Sequence, residues 1–573
     1  MKKIFVFLIL LCSCNRTVNV IDSLNLDFEH SNNVTSLPKN WRIEGSGVNI
    51  SMDSLEKQNG KYSIKMESSD ISDSKYGRFI GRLPIETFAG KSVEYKGWVK
   101  IKNNKNAYAG LWFSVERSDG TVDYKQDRSL NFSNNWTQVY IKQDVNKDAV
   151  NITFGGLFSG EGIVWFDNLE IYIEGEKYFG IIEPEPKITL TQKELSALKK
   201  YIYPLRTYES DRGDSQDLKI LDKLIGSSKV VALGEVSHGS SEIFKMKNRI
   251  IQYLAENNGF NVFSIEANMP ESYKLNDYTI QGKGEPKSLI KGMYFWTWRT
   301  EELLNMVEWM RTFNQPTKRI EFTGFDMQFH IGAIDELLDM FQGNKEVENK
   351  IIELKMLIDE RKYSNRDDEI KKADSIISFL QKSIEASAFQ LSAKTWLEQN
   401  LVIIRQNVRM GGSAWRDKCM ADNFLWIKKH NPNSKFVIWA HNTHIQETNQ
   451  MMGSYLAQNL GDDYATFGFV FFDGSFTTFY NNALTSYITA QAYPGTLEYL
   501  LNQLNEPIFI LDLKKIKSEN NKDTKWLLKR INYRRIGGTV EFQNEYHQSE
   551  ISDDFDYLIF IKTSSPSTLL FTP

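Results

Sequence analysis

The period of the apolar residues changes part-way along this chain, and no other feature constrains its fold as much. Up to about Glu174 the pattern is short and alternating, as in Tyr62 to Met66, Ser92 to Val99, Gly110 to Val115 and Thr137 to Ile141, with Asn, Gly, Ser and Asp clusters between the runs. Successive side chains of a strand point to opposite faces, so such runs read as half-buried strands joined by turns. With no helix-length periodic segment among them, residues 18–174 predict an all-β sandwich. From Lys229 onward, short apolar runs alternate instead with longer segments of helical period. That alternation predicts a C-terminal α/β domain over 190–570, with a mostly parallel sheet covered by helices. Residues 331–410 break the alternation. They are long and charged with apolar positions at helical spacing, such as Ile351, Leu354, Leu357 and Ile358, and predict an inserted helical bundle. Residues 175–189 include Pro184 and Pro186 among acids and read as an extended linker. Residues 191–206 read as helical. At 573 residues the chain exceeds one ordinary domain, and the reading is multidomain.

The first residues stand apart. Met1-Lys2-Lys3 is followed by an apolar run from Ile4 to Leu11 that is too short to span a bilayer. It ends in Leu11-Cys12-Ser13-Cys14, which resembles a bacterial lipobox with Cys14 as the lipidated residue. Residues 1–14 are therefore expected to be a lipoprotein signal peptide, and the mature chain an extracytoplasmic, membrane-anchored lipoprotein of a bacterial cell envelope. The remaining cysteine, Cys419, lies on the apolar side of a helical segment and reads as a small buried hydrophobe.

Function concentrates at strand ends. Val230 to Leu233 is a buried-strand run that leads into Gly234-Glu235-Val236-Ser237-His238-Gly239. Asn261 to Ile265 delivers Glu266, and Phe436 to Ala440 runs into His441-Asn442-Thr443-His444. Three of the chain's seven histidines sit in these motifs. In an open α/β sheet the carboxyl ends of the strands are where ligands and chemistry collect. A histidine titrates near neutrality, and a carboxylate beside it fixes the ring and stabilises its charged form. Such a pair can activate a water against an ester carbonyl, with a second histidine or a cation serving the oxyanion or the leaving group. The chain has no Gly-x-Ser-x-Gly elbow, and Ser237 points away from its neighbour His238 on an extended chain. Two histidines with one or two carboxylates also suffice for zinc, so a metal-dependent hydrolase is the rival reading. No cofactor is expected otherwise.

Taken together, Gly-Glu-x-x-His-Gly at residues 234–239, Ile265-Glu266 and Ala440-His441-Asn442-x-His444-Ile445 resemble the erythromycin esterase family. Trp298-Arg299-Thr300-Glu301-Glu302, Gly324-Phe325-Asp326 and the stretch from Arg416 to Asn423 match it as well. The resemblance covers roughly residues 190–570. It implies a carboxylic ester hydrolase in which His238 is the general base, Glu235 and Glu266 are its carboxylate partners, and His441 and His444 complete the site. It also places Lys247, Trp298, Arg299 and Asp326 at the substrate. Lys247 stands where macrolide-hydrolysing members carry an arginine, and lysine lacks the bidentate fork. His330 is a further candidate, while His30, His430 and His547 read as surface residues. Leu26-Asp27-Phe28-Glu29 with Trp41, and Val164 to Ile171, resemble galactose-binding-like jelly rolls, which implies a possible glycan ligand for the sandwich.

The expected partners are thus a small-molecule ester or lactone, a glycan at the N-terminal domain, and a membrane through the lipid anchor. Mixed charge with a net of −4 gives no basic face for nucleic acid. The substrate reading stays open between a macrolide lactone and an ester of a carbohydrate or cell-envelope polymer. A non-catalytic surface glycan-binding lipoprotein is the alternative from another class.

Overall fold

The computed structural model describes residues 21–571, except 23, 32–36, 69–75, 128–133, 181, 184–185, 211–214, 316–318, 361–365, 481–482 and 540–544. The leader, with Cys14, lies outside the described residues, as does part of the proline-bearing linker. Among the described residues no helix is long and apolar enough to cross a membrane.

The N-terminal region is mostly β. Its hub is the strand Ala149–Ile173, which pairs antiparallel with Tyr76–Arg82, Ser63–Ser68 and Ser92–Arg117. Ser92–Arg117 corrects one expectation. The Ser92 and Gly110 runs are not separate strands but one 26-residue strand, interrupted by register shifts between Lys96 and Trp98 and between Lys102 and Tyr108. The polar Asn103 to Asn106 stretch, which looks like a turn in sequence, is taken up as bulges instead. A single core holds the region together, with Trp41, Phe79, Phe154 and Phe166 in edge-on contact and all fully or nearly buried. Trp112 is buried rather than presented to solvent.

The C-terminal region is α/β. Its sheet runs, edge to edge, Ile202–Pro204, Ile508–Asp512, Tyr557–Ser564, Tyr464–Tyr480, Val230–Leu233, Phe436–Trp439, Val262–Asn268 and Glu321–Asp326. The six strands from Tyr557–Ser564 to Glu321–Asp326 are mutually parallel. Ile508–Asp512 and Ile202–Pro204 add antiparallel to one edge. The central strands are apolar throughout because both of their faces are covered. Val230, Ala232, Phe436 and Ile438 pack into one core with the helices between Ile331 and His430. Val231, Leu233, Val437 and Trp439 pack into the other, with helices Ser241–Asn257 and Glu301–Phe313. Among the described residues of 331–408 the chain forms four helices, Ile331–Met340, Lys345–Asp359, Arg366–Ala386 and Leu391–Val408. The expected helix over 191–206 stops at Leu198 after a Thr191–Glu194 capping box, and the chain turns into the edge strand ending at Pro204. Proline cannot continue a helix but is tolerated at a sheet edge.

The two regions touch at one well-defined place. Helix Ser413–His430 begins after Gly412, and its own sequence offers no side-chain cap. The cap comes from the β region: the Glu116 carboxylate accepts the Trp415 N–H at 3.0 Å and is itself 4% exposed. A Cβ on Gly412 would sit 2.4 Å from that carboxylate, so a larger residue there would push the capping group aside. The turn at Gly120 packs against the Trp415 ring. A carboxylate at a helix N-terminus satisfies free N–H groups and favours the helix dipole.

Candidate active site

Four adjacent strands of the C-terminal sheet end on the same edge and hand their last residues to one another. Val230–Leu233 is followed by a turn that needs Gly234, because a Cβ there would lie 2.1 Å from the Asn442 side-chain oxygen. Asn442 in turn pairs with both backbone groups of Phe469, fixing the two strand ends together.

At the end of that turn the His238 Nδ1 lies 2.6 Å from Glu235 Oε1. Glu235 is fully buried, and its other oxygen accepts from Lys247 Nζ and from the Trp439 indole N–H, each at 2.7 Å. Three donors therefore hold one carboxylate in place. The carboxylate accepts from Nδ1–H, which leaves Nε2 as the acceptor nitrogen of a neutral His238. Among the described residues Nε2 has no protein partner, and the side chain is 15% exposed. The Gly538 backbone and the half-buried Trp296 ring close in beside it.

The second half of the site is built differently. Glu266 is buried; its Oε2 accepts the His441 N–H at 2.9 Å, and its Oε1 lies 2.8 Å from Arg416 and 3.3 Å from His444 Nε2. Arg416, from the helix that Glu116 caps, also forks onto both oxygens of the fully buried Asp326 at 3.1 and 2.7 Å. His444 Nδ1 lies 2.7 Å from Asp417, which also accepts the Met452 N–H. Burial alone would lower the His444 pKa, but Asp417 and Glu266 outweigh it and push it up to about 10. That shift favours the imidazolium at His444, whose Nε2 also stands 3.1 Å from Arg416 Nη1. Burial would likewise raise the Glu266 carboxyl, yet His444 and Arg416 hold it well below the usual range.

His441 lies between the two halves, its ring 5.0 Å from that of His238. Burial holds it neutral, well below the ordinary histidine value. Its Nδ1 accepts the Thr443 N–H and stands 2.9 Å from the Thr443 hydroxyl. The proton is therefore on Nε2, whose only protein neighbour among the described residues is the Val236 carbonyl at a long 3.3 Å. Arg535 Nε donates to Thr443 Oγ1 at 2.8 Å.

The erythromycin esterase family profile matches residues 255–564, over half of the chain. The chain belongs to the erythromycin esterase family. It is 24% identical over 422 residues to the putative hydrolase YbfO of Bacillus subtilis, covering 65% of this chain and 91% of that one. It is 25% identical over 413 residues to erythromycin esterase type II of Escherichia coli, covering 62% and 94%. Among solved structures, one titled as a succinoglycan biosynthesis protein superposes with a TM-score of 0.58 at 25% identity, over 66% of this chain and 98% of that one. An erythromycin esterase mutant, EreC, in its open conformation gives a TM-score of 0.52 at 14% identity, over 65% and 100%. This last likeness speaks for the fold alone.

In this erythromycin esterase family member, Glu235, His238, Glu266, His441 and His444 converge on one sheet edge. The four residues expected at the substrate are each engaged with the protein itself. Lys247 is 0% exposed, is paired with Glu235 and lies over the Trp439 ring; burial brings its pKa down to about 8 despite Glu235. Trp298 is buried and donates its indole N–H to the Glu266 carbonyl. Arg299 braces the Tyr294 carbonyl, and Asp326 is consumed by Arg416. Polarity is legible in sequence, but the direction of a side chain is not. Trp298 packs edge-on against the His238 ring, centroids 6.4 Å apart, and Trp296 shares the surroundings of Gly538 with His238. His330 pairs with Asp359 outside the cluster. His547, expected at the surface, is half-buried. The residues that sequence reasoning left without a role are Arg416, Asp417, Trp439, Thr443 and Arg535. Arg416 and Asp417 carried a signal, an adjacent Arg-Asp pair inside a helix. Among the described residues no group of three or more His, Cys, Asp or Glu is arranged to hold a metal ion.

Proposed function

We propose that this protein is a carboxylic ester hydrolase that uses His238 as a general base on water. The observation that carries the reading is the imidazole of His238, oriented by a buried carboxylate at 2.6 Å and open at its other nitrogen. Nε2 takes a proton from a water as its oxygen adds to the ester carbonyl. Glu235, kept in place by Lys247 and Trp439, stabilises the imidazolium that forms. The new oxyanion takes the Nε2–H of the neutral His441, a donor that is already oriented and makes only one long contact. The C–O bond to the alcohol then breaks, and the leaving alkoxide takes the proton from His238, which restores the starting site. His444, Arg416, Glu266 and Asp326 form the ionic base plate that holds His441.

The substrate class follows less from the family name than from the β region beside the site, which favours an ester on a carbohydrate or envelope polymer over a macrolide lactone. Residues 18–174 are proposed as the glycan-contacting part, of galactose-binding-like jelly-roll type. Cys14 is proposed as the lipidated residue that tethers the enzyme outside the cytoplasm, testable by palmitate labelling. The decisive experiment is a panel of aryl, sugar and macrolide esters assayed with the parent protein and His238→Ala. Turnover of at least one ester is expected, with a loss of about a thousandfold in the variant. An ester turned over equally by both proteins sinks the assignment.

A further inference from the structure

A second cluster of charge lies where the two regions meet. Its register fixes which side chains share a face. Arg42 is opposite Ile80, Arg82 is opposite Thr153, and Glu116 is opposite Asn151. Directly opposed residues of an antiparallel pair lie on the same face, as do residues two apart on one strand. Arg42, Arg82 and Glu116 therefore project from one face of the β sheet, and Glu116 shows that this face looks onto the C-terminal region at helix Ser413–His430.

From the other side comes the strand pair Ile531–Arg534 and Tyr546–Ser549, which carries His547 and continues into Arg535. Both lie within electrostatic reach of Arg42 and Arg82. Arg535 and Arg42 stand near enough to Arg82 for their charges to repel it. Burial, then Arg535, Arg82 and Arg42, hold the His547 imidazole well below its ordinary value and so neutral.

The counter-charges are few and mostly occupied. Glu44 pairs with both Arg42 and Arg78. Glu116 is occupied as the helix cap, and Asp554 accepts from Thr448 and Ser549. Arg82 is solvent-accessible and has no hydrogen-bonded or ion-paired partner among the described residues. Arg535 touches Thr443, which touches His441. Like charges gathered at a partly enclosed junction repel, and a fold tolerates the cost where something neutralises them. The position matters as much as the sign, since the cluster begins two side chains from a ring of the hydrolytic site.

We propose that this junction is a binding subsite for an anionic group, a carboxylate or a phosphate, held jointly by Arg42 and Arg82 of the β region and Arg535 beside His441. Resting on the hydrolase reading, it makes the substrate an ester on an acidic glycan or another phosphate- or carboxylate-bearing molecule. Guanidinium groups suit that role, because their planar forks match both anions.

Calorimetric titration of the full-length protein tests the subsite without any ester chemistry. The probes are tetragalacturonate, neutral xylotetraose and inorganic pyrophosphate. At least one of the two anions is expected to bind, with xylotetraose bound at least tenfold more weakly. Arg82→Glu should weaken the anion at least tenfold and Arg82→Gln less, and added salt should weaken it further. Binding of tetragalacturonate alone assigns a carboxylate, and of pyrophosphate alone a phosphate. Absence of binding by both anions, or binding unchanged in Arg82→Glu, overturns the proposal. Neither result depends on whether His238 hydrolyses an ester.

Discussion

His238 and His444 are the same residue type on the same sheet edge, and both meet carboxylates, yet they are prepared for opposite tasks. His238 has one acid on one nitrogen, and its other nitrogen faces the open side of the site. His444 has an acid near each nitrogen, with Arg416 Nη1 also 3.1 Å from Nε2, and the acids raise its pKa to about 10. The number of buried acids per imidazole, rather than the motif around it, separates a base that can pick up a proton from a cation that keeps one. His441 extends the series: with no acid on its ring, burial wins and it stays neutral. One edge thus carries a base, a neutral donor and a fixed cation built from three copies of one side chain.

The comparison breaks most visibly at Glu235. Glu235→Gln keeps the size and an acceptor but removes the charge that stabilises a protonated His238. The kcat is expected to fall about a thousandfold, with KM changed far less. A loss below tenfold would mean that His238 does not become charged during turnover.

A middle-sized effect sharpens the other half. The folded pKa of His444, about 10, lies above its ordinary 6.5. A raised pKa gives stability that is fully present below the ordinary value and is lost as pH rises through the folded one. Urea unfolding of the parent protein should therefore show stability declining between about pH 6.5 and 10. His444→Gln should flatten that decline. An equal slope in both proteins would place the proton elsewhere.

The smallest expected effect concerns a residue that only supports the cluster. Trp298→Phe removes the indole N–H to the Glu266 carbonyl and should cost about 1 kcal/mol in stability, with kcat/KM within about threefold of the parent. A hundredfold loss of kcat/KM would return Trp298 to the substrate.

Much of this was legible beforehand, for identifiable reasons. The ends of the Val230, Val262 and Phe436 strands could be read because uninterrupted apolar runs stop abruptly at acids and histidines. Family order then said that those ends belong together. The mostly β N-terminal region and the α/β C-terminal region followed from the two periods. Arg416 and Asp417 escaped because they sit on a helix far along the chain from Glu266, and helical period alone puts them on neither face. The resemblance to the family puts Lys247 and Asp326 at the substrate, whereas the sequence does not show that each is buried against a partner that only the fold supplies. The Tyr546–Ser549 strand escaped because four half-buried residues show no alternation.

The Glu116 cap has a consequence for modularity. Arg416 is held by a helix whose first turn is completed from a different part of the chain, so the linker is a poor place to cut. A fragment beginning near Leu190 would keep every acid and imidazole of the cluster. It would still begin that helix with bare amide groups and an unfilled hollow over Gly412. Grafting the C-terminal half onto another carrier would succeed best with Gly412→Asp or Gly412→Ser, which gives that helix a cap of its own once Glu116 is gone.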